Sequence, residues 1–295
     1  MRQLGWILLV GMASGQKVAI TLDDLPLNGE LPPGVTRTQI AQDVVKILKK
    51  SHLPPAYGFI NAAALEGDAD GAEALKIWAA QEPMGNHTYT HMNLAENTVE
   101  IFERNVIENE PALELLKSSK GDWHWFRYPF LAEGETREKR HAIRDILAKR
   151  GYKIAQVTMS WDDYLWNSAA ARCQSKNDAK ALEWLHSSYL SWASASIDRD
   201  RELAKLAYGR DINHVLLLHL GAFSATILPE VLDLLKKKGL QVVSLEEAES
   251  DPVYAMDPDL ALKWSGTLVG QMIQAKKLTF PQLPERPKEV EEICK

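Results

Sequence analysis

The 295-residue sequence has little cysteine. Cys173 and Cys294 are its two cysteines, too few for a disulfide-rich miniprotein or a cysteine-rich zinc site. It also lacks a long basic stripe, and its formal charge of −6 argues against a nucleic-acid-binding protein. No internal repeat and no linker rich in glycine, serine or proline divides the chain. No apolar run reaches the roughly 20 residues that span a bilayer, so we expect no stable membrane insertion.

The overall composition is typical of a folded globular domain. Hydrophobic residues make up 45% and charged residues 25%, a balance that supports a buried core. The length suits one large α/β domain with additions. Nine tryptophans are the one excess. Because large aromatic side chains serve both as core residues and as flat binding platforms, both interpretations stay open.

Residues 1–15 have the pattern of a secretory signal peptide. Arg2 precedes a short apolar run over residues 4–13, and the small residues Ser14 and Gly15 follow. A basic start, a short apolar centre and small terminal residues are typical of such leaders. We therefore predict an exported protein, periplasmic or secreted; the alternative is that this run is a buried first strand or helix.

After the leader, short apolar runs alternate with helical patterns. Strands are predicted over residues 18–22, 56–60, 83–86, 123–128, 152–159, 215–220 and 241–245. Helices are predicted over residues 38–50, 72–80 and 137–149. Another helix is predicted to follow a cap at Asn97, and one more is predicted to run from about Pro229 to the three lysines at residues 236–238.

Seven strands separated by helices favour parallel pairing through right-handed crossovers. An α/β fold with a closed or nearly closed (β/α) barrel is the leading prediction, and an open doubly wound sheet is the alternative. Residues 16–250 are predicted to form this domain. Residues 251–295 are predicted to form a C-terminal extension, with a helix over residues 260–277 and a proline-rich tail.

Polar residues stand where the predicted strands end. Seven of them end or follow five of the strands: Asp23 and Asp24, His87 and His91, Arg127, Asp163, and His219. In a barrel the C-terminal ends of the strands converge on one face, which is the usual place for an active site. The pattern therefore predicts one polar pocket.

Each of these features alone has a simpler explanation. An Asp-Asp pair after a strand is more often a turn or a helix cap, and a histidine among leucines is as often a core residue. Two histidines four residues apart share a helical face and can bind a metal, but such pairs also arise by chance. It is their order and their common position at strand ends that makes coincidence implausible.

Taken in order, the motifs resemble those of the polysaccharide deacetylases, the NodB-homology group or carbohydrate esterase family 4. The resemblance covers residues 17–248 and is carried by Thr21-Leu22-Asp23-Asp24, His87-Thr88-Tyr89-Thr90-His91, Arg127-Tyr128-Pro129, Asp163 and Leu216-Leu217-Leu218-His219. It implies a distorted NodB-like (β/α) barrel of about seven parallel strands. It also implies a divalent metal and hydrolysis of N-acetyl or O-acetyl groups on sugars.

The resemblance implies a metal held by Asp24, His87 and His91. One carboxylate and two neutral imidazoles leave an open position for water, as in catalytic zinc sites. Zn²⁺ is the expected ion, although Co²⁺ and other divalent cations accept the same ligands. Asp23 is the implied general base.

The remaining catalytic roles are implied in the same way. His219 is expected to act as the general acid, and Arg127 to orient Asp23 and stabilise its charge. Asp163 is expected either to orient Arg127 or to support His219. The backbone N–H of Tyr128 is the expected oxyanion donor.

Aromatic residues near two strand ends are candidates for substrate binding. At least one of four tryptophans there is expected to stack on a sugar ring, with Trp125 and Trp166 as the candidates; the four are Trp123, Trp125, Trp161 and Trp166. Core packing is the more common role for any single one of them. The chain departs from the family pattern at Leu25-Pro26, where glycine is usual, and at Tyr164, where tryptophan is common. These departures are expected to affect how the substrate fits the site more than how the reaction proceeds.

The sequence thus predicts a monomeric, metal-dependent hydrolase that removes acetyl groups, N-acetyl groups foremost, from a glycan such as chitin or peptidoglycan. Its expected partner is an acetylated glycan, with no nucleic acid. Three alternatives remain: a glycoside hydrolase that uses Asp23 or Asp24 with Asp163, a catalytically inactive glycan-binding barrel, and a cyclic-amide hydrolase on the same barrel.

Overall fold

A computed structural model describes residues 16–295, so the predicted signal peptide lies outside the described residues. The strands in this part are β1 (Gln16–Leu25), β2 (Tyr57–Ile60), β3 (Met84–Asn86), β4 (Trp125–Phe126), β5 (Lys153–Ile154), β6 (His214–His219) and β7 (Leu240–Val243). The α-helices are α1 (Arg37–Lys50), α2 (Ala69–Ala79), α3 (Val99–Leu115), α4 (Arg137–Lys149), α5 (Tyr164–Ser175), α6 (Ala179–Tyr208), α7 (Ala222–Lys237), α8 (Leu245–Glu249), α9 (Leu268–Ala275) and α10 (Glu289–Glu292). No helix among residues 16–295 is both long and apolar enough to cross a membrane.

The strands form one curled parallel sheet in the order β5-β4-β3-β2-β1-β6, and β7 pairs with the beginning of β1. Beyond β5 the chain returns to β6, where Met159 bridges Leu216. This bridge brings the two edges of the sheet together. The predicted α/β class and the distorted barrel of parallel strands are confirmed.

Strand β1 separates the barrel interior from the layer of helices. Because side chains alternate along a strand, Val18, Ile20 and Leu22 pack into the large core cluster with α1 and α7. Ala19 lies on the opposite face, in a smaller apolar cluster that includes Phe59 and Trp125. Thr21 and Asp23 follow on that inner face, where they meet Arg127. The alternation therefore directs the first aspartate into the barrel.

Several predicted boundaries need correction. Helix α3 is capped by the Thr98 side chain rather than by Asn97, and it contains Pro111. Pro229 lies inside α7, because that helix begins directly after β6 at Ala222. The helix predicted over residues 260–277 is limited to α9, which starts at its Thr267 cap.

Residues 251–295 pack closely against the rest of the chain. Helix α9 contributes Val269 and Ile273 to a buried cluster with Leu203 of α6. Cys173 and Cys294 form a disulfide that spans 121 residues, a pairing that the sequence left open. The domain boundary at residue 250 stays a prediction.

Candidate active site

The C-terminal ends of the strands open onto a pocket of about 450 Å³. Six of the predicted site residues line it: Asp23, Asp24, His87, His91, Tyr128 and His219. Arg127 and Asp163 are buried and bond to Asp23 and His219, respectively. The structure thus brings together eight of the ten residues singled out in the sequence.

Adjacent aspartates in a regular strand point to opposite faces, yet both reach this pocket. The reason is local backbone geometry. Asp24 has a φ of 63°, in the left-handed region, and the pairing of β1 with β2 is irregular between Leu22 and Leu25. The strand alternation therefore ends at Asp23. Backbone conformations of this kind are uncommon outside glycine and cluster at functional sites.

Asp24, His87 and His91 have the geometry of a divalent cation site. The Asp24 Oδ1 atom lies 3.4 Å from His87 Nε2 and 3.3 Å from His91 Nε2. This Oδ1 is buried and has no hydrogen-bond partner. Among residues 16–295, these three side chains can place ligand atoms within 4.8 Å of one another. One carboxylate oxygen and two imidazole nitrogens that converge in this way fit a divalent metal such as Zn²⁺.

Both histidines are prepared as neutral ligands. The Nδ1 of His87 lies 2.8 Å from the backbone oxygen of Arg127, so an Nδ1–H donor leaves the Nε2 lone pair facing Asp24. Burial lowers the pKa of His91 to about 4, although the carboxylates of Asp24 and Asp23 oppose this shift. Burial opposes the ionisation of Asp24, but the adjacent imidazoles of His87, His219 and His91 outweigh it and hold its pKa well below the usual range.

The spacing of four residues between His87 and His91 suggested a shared helical face, but the two histidines do not lie on a helix. They lie in a loop after β3, in which Thr88 and His91 have φ values of 61° and 56°. Asn61 Nδ2 donates to the backbone oxygens of His87 and Thr88 at 2.6 and 2.9 Å. A side-chain-bonded loop, rather than helical periodicity, therefore aligns them.

Two asparagines that were not predicted from the sequence complete the surroundings of Asp24. Asn28 Nδ2 donates to Asp24 Oδ2 at 2.8 Å, and Asn167 Nδ2 donates to Asn28 Oδ1 at 3.3 Å. Asn167 in turn accepts from the backbone N–H of Ser224 at the start of α7. The bond to Oδ2 fixes the carboxylate so that Oδ1 faces the histidines. The one sequence signal was a short polar residue four positions after Asp24.

Asp23 is held by a buried arginine. Arg127 Nη1 donates to both Asp23 oxygens at 3.1 Å, its Nη2 donates to Thr21 Oγ1, and its Nε donates to the backbone oxygen of Ala155. The guanidinium lies 4.6 Å from the centre of the Phe59 ring. Such a charge-assisted, fully bonded pair holds the carboxylate in one orientation.

His219 forms a second charged pair, with Asp163. Its Nδ1 lies 2.7 Å from Asp163 Oδ1, and its backbone N–H donates to Oδ2 at 2.8 Å. Burial lowers the pKa of His219, but the charge of Asp163 and this hydrogen bond outweigh burial and raise the pKa to about 9. Of the two expected partners for Asp163, the structure selects His219 over Arg127.

Trp125 and Trp166 do not reach the pocket, which corrects their expected role in substrate binding. Trp125 lies in the inner barrel cluster beside Tyr57, and Trp166 is fully buried with its Nε1 bonded to Ser188. Tyr128 does line the pocket, although its ring packs into the core. The exposed tryptophan at the pocket is instead Trp264, in the extension, where no motif marks it.

Comparison with known families gives a match in the N-terminal half of the chain. The polysaccharide deacetylase family model matches residues 11–155, a span that includes both aspartates, both histidines and Arg127. Over these 145 of its 295 residues, the chain is similar to the polysaccharide deacetylase family. The sequence matches no curated protein.

Solved structures share the fold. A chitin deacetylase from Colletotrichum lindemuthianum is 18% identical, with 80% of this chain and 88% of that chain covered and a TM-score of 0.54. A carbohydrate esterase family 4 pseudoenzyme from Bacillus anthracis is 15% identical, with 80% and 66% covered and a TM-score of 0.54. A family 4 carbohydrate esterase from Streptomyces lividans, in complex with acetate, is 18% identical, with 80% and 97% covered and a TM-score of 0.50. At these identities the likeness concerns the fold.

Proposed function

We propose that this protein is an active polysaccharide deacetylase, a metal-dependent hydrolase that removes acetyl groups, N-acetyl groups foremost, from a chitin-type or peptidoglycan glycan. The observation that carries the proposal is the buried Asp24 Oδ1, which faces two imidazole nitrogens and has no hydrogen-bond partner. A charged pair stands on either side of it, Asp23 with Arg127 and His219 with Asp163. A barrel that only bound glycans would need none of these groups in this arrangement.

Asp24, His87 and His91 would hold the metal, with Zn²⁺ as the first choice and Co²⁺ or another divalent cation as alternatives. A divalent cation held by these residues would polarise the acetyl carbonyl and lower the pKa of water towards neutrality. The surrounding residues favour its binding. His87 keeps one tautomer through the backbone of Arg127, and Asn28 fixes the Asp24 carboxylate.

Asp23 acts as the general base in this proposal. It lines the pocket beside the metal ligands, and its Oδ2 lies 3.8 Å from His87 Nε2. Arg127 holds both of its oxygens, so the carboxylate meets an attacking water in one orientation. Proton uptake by Asp23 generates the nucleophile that attacks the acetyl carbon.

His219 acts as the general acid. An amine is a poor leaving group until its nitrogen is protonated, so a donor on the side opposite the base is required. His219 Nε2 faces the pocket 4.0 Å from Asp24 Oδ2, while its Nδ1 is held by Asp163. The backbone N–H of Tyr128 is the proposed donor to the oxyanion.

The experiment is acetate release from acetylated chitooligosaccharides and peptidoglycan, measured before and after chelation and after Zn²⁺ is added back. We expect chelation to abolish acetate release and Zn²⁺ to restore it, with about one metal ion per chain by elemental analysis. Activity that is unchanged in chelator would contradict the metal role.

The alternatives give different results in the same assay. Reducing ends without acetate would indicate a glycoside hydrolase, and sugar binding without any product would indicate an inactive glycan-binding barrel. Hydrolysis of cyclic amides in place of acetylated sugars would indicate the remaining alternative.

We also propose that the protein is exported, periplasmic or secreted, and acts as a monomer. Residues 1–15 carry the leader pattern, and Cys173 and Cys294 pair, as suits an oxidising compartment. N-terminal sequencing of the mature protein tests this proposal, since a start at Met1 in the recovered protein would contradict cleavage.

A further inference from the structure

Exposed aromatic side chains gather at the mouth of the pocket. Four large aromatic residues among residues 16–295 are strongly exposed, and three of them line this pocket: Phe130, Tyr164 and Trp264. The fourth, Phe280, lies elsewhere. Trp264 is 57% exposed, the largest fraction of the four. Exposed aromatic surface of this size beside a candidate catalytic site is typical of a ligand-contacting surface.

The three aromatic residues lie at different distances from the candidate metal ligands. The Phe130 ring meets His91 with centroids 4.5 Å apart, and Trp264 meets Phe130 at 6.1 Å with an interplanar angle of 79°. On the other side of Asp24, Tyr164 packs against His219 at 5.5 Å. An aromatic path therefore leads outward from His91 to Trp264. A ligand group that contacts Trp264 lies one ring beyond the group that contacts the metal ligands.

Hydrogen bonds on both sides of Trp264 hold the extension against the loop that carries Phe130. Leu262 N donates to the Gly134 oxygen, and Glu133 N donates to Ser265 Oγ, each at 3.1 Å. The buried Arg140 donates to Glu133 and also binds Asp257 of the extension. An exposed indole on a backbone fixed in this way is preorganised for a ligand, because little side-chain or loop entropy remains to be lost.

We propose that Trp264, together with Phe130, forms a subsite that stacks on a sugar ring next to the acetylated sugar. This inference rests on the proposed deacetylase function. A pyranose ring presents a face of C–H groups bordered by hydroxyls, and an uncharged indole face covers such a surface while the hydroxyls stay hydrated. Because Phe130 covers at most one face of Trp264, the other face is free for the sugar. The enzyme therefore prefers oligosaccharides of two or more sugars over a single acetylated sugar.

The test compares wild type, Trp264→Ala and Trp264→Phe on N-acetylglucosamine and on its oligomers up to the hexamer. For Trp264→Ala we expect KM to rise roughly tenfold on the hexamer, with kcat on the hexamer and kcat/KM on the monosaccharide unchanged. Trp264→Phe should recover most of the loss. Phe280→Ala, which removes an exposed aromatic residue away from the pocket, is the matched control and should leave all values unchanged.

Binding provides a readout that does not require turnover. Metal-free protein titrated with the hexamer should show a change in tryptophan fluorescence that Trp264→Ala loses, with the same roughly tenfold weakening of Kd. Equal KM and Kd values for wild type and Trp264→Ala on the hexamer would overturn the subsite, as would an equal loss on monosaccharide and hexamer. If wild type releases no acetate from any substrate, the deacetylase proposal fails, whereas the binding titration still decides the subsite. Melting temperatures within about 2 °C of wild type show that the variants are folded.

Discussion

The floor of the pocket consists of charged and polar side chains held by buried partners, whereas its rim consists of half-exposed aromatic rings. The floor is Asp23, Asp24, His87, His91 and His219, and all but His91 bond to an arginine, asparagine, aspartate or backbone group at 2.7–3.1 Å. The rim is Phe130, Tyr164 and Trp264. The Phe130 ring packs against His91 and Trp264, and the Tyr164 ring packs against His219.

The two regions tolerate change differently because hydrogen bonds and metal bonds are directional and dispersion contacts are not. A floor residue that moves by 1 Å loses its bond, while a displaced ring still covers apolar surface. Substitutions in the floor are therefore expected to change turnover or metal content. Substitutions in the rim are expected to change which substrates bind. The following variants test that division, from the largest expected effect to the smallest.

Replacing a metal ligand should have the largest effect. His87→Ala and Asp24→Ala are expected to lose the metal, and acetate release should fall roughly a thousandfold or more. Elemental analysis and the acetate assay measure the two effects together. His186→Ala is the matched control, since this exposed histidine pairs with Glu230 away from the pocket. A His87→Ala variant that keeps both metal and activity would contradict the assigned ligand set.

Replacing the proposed base should separate chemistry from metal binding. Asp23→Asn keeps the shape of the side chain and removes its charge, so we expect full metal content with kcat lowered by about 10²–10⁴-fold. The measurement is steady-state kinetics on metal-loaded protein, with metal content determined on the same sample. Wild-type kcat in Asp23→Asn would show that another group takes the proton.

Removing the support of a ligand should have an intermediate effect. Asn28→Ala leaves Asp24 in place but deletes the 2.8 Å bond to its Oδ2. We expect metal affinity to fall by about 10–100-fold, as is usual for partners of metal ligands. Competition with a chromophoric chelator measures the affinity. Unchanged metal affinity would show that Asn28 does not support the metal site. It would also contradict the expectation that bonded partners of floor residues control metal content.

The smallest effect on activity is expected from replacing Glu82, whose buried carboxyl group lies away from both the floor and the rim. Burial raises the pKa of Glu82 to about 7, although the side chain accepts a bond from the Ala56 N–H. The folded state therefore binds this proton more tightly than the unfolded state, and the free energy of unfolding falls as pH rises from about 4.5 to about 7.

Glu82→Gln should remove that fall and raise the free energy of unfolding by about 2 kcal/mol at pH 8, with acetate release unchanged. Denaturant unfolding at pH 5 and pH 8 measures the difference between the two proteins. A pH dependence that is the same in both would contradict the buried, protonated state of Glu82.

The same contrast explains what could be predicted from the sequence. The floor was predictable because each member follows an apolar strand in a short local pattern, and parallel topology then brings strand ends together. Arg127 and Asp163 were found for the same reason. Asn167 was missed because its role depends on a contact with Asn28, 139 residues away, which no local pattern records. Asn28 was missed because a polar residue four positions after Asp24 is a weak signal by itself.

The rim could not be predicted because exposure is a property of the folded chain. Trp125 and Trp166 lie close to motif residues in sequence but face the core, whereas Trp264 lies far from them in sequence and borders the pocket. Which tryptophan meets solvent depends on how the extension packs on the barrel, through bonds such as that from Arg140 to Asp257. Aromatic content alone indicated only that a platform was available.

The central position of β1 also has a consequence for the order of folding. Its Thr21 hydroxyl bonds to Leu216 of β6, 195 residues later in the chain, so the first strand is completed by one of the last. Such a high contact order predicts slow folding through intermediates in which one side of β1 is unpaired. Until β6 arrives, Asp23 and Asp24 have no His219 beside them, and the open strand edge favours aggregation. A chain shortened to end before His214 is therefore expected to be insoluble as well as inactive.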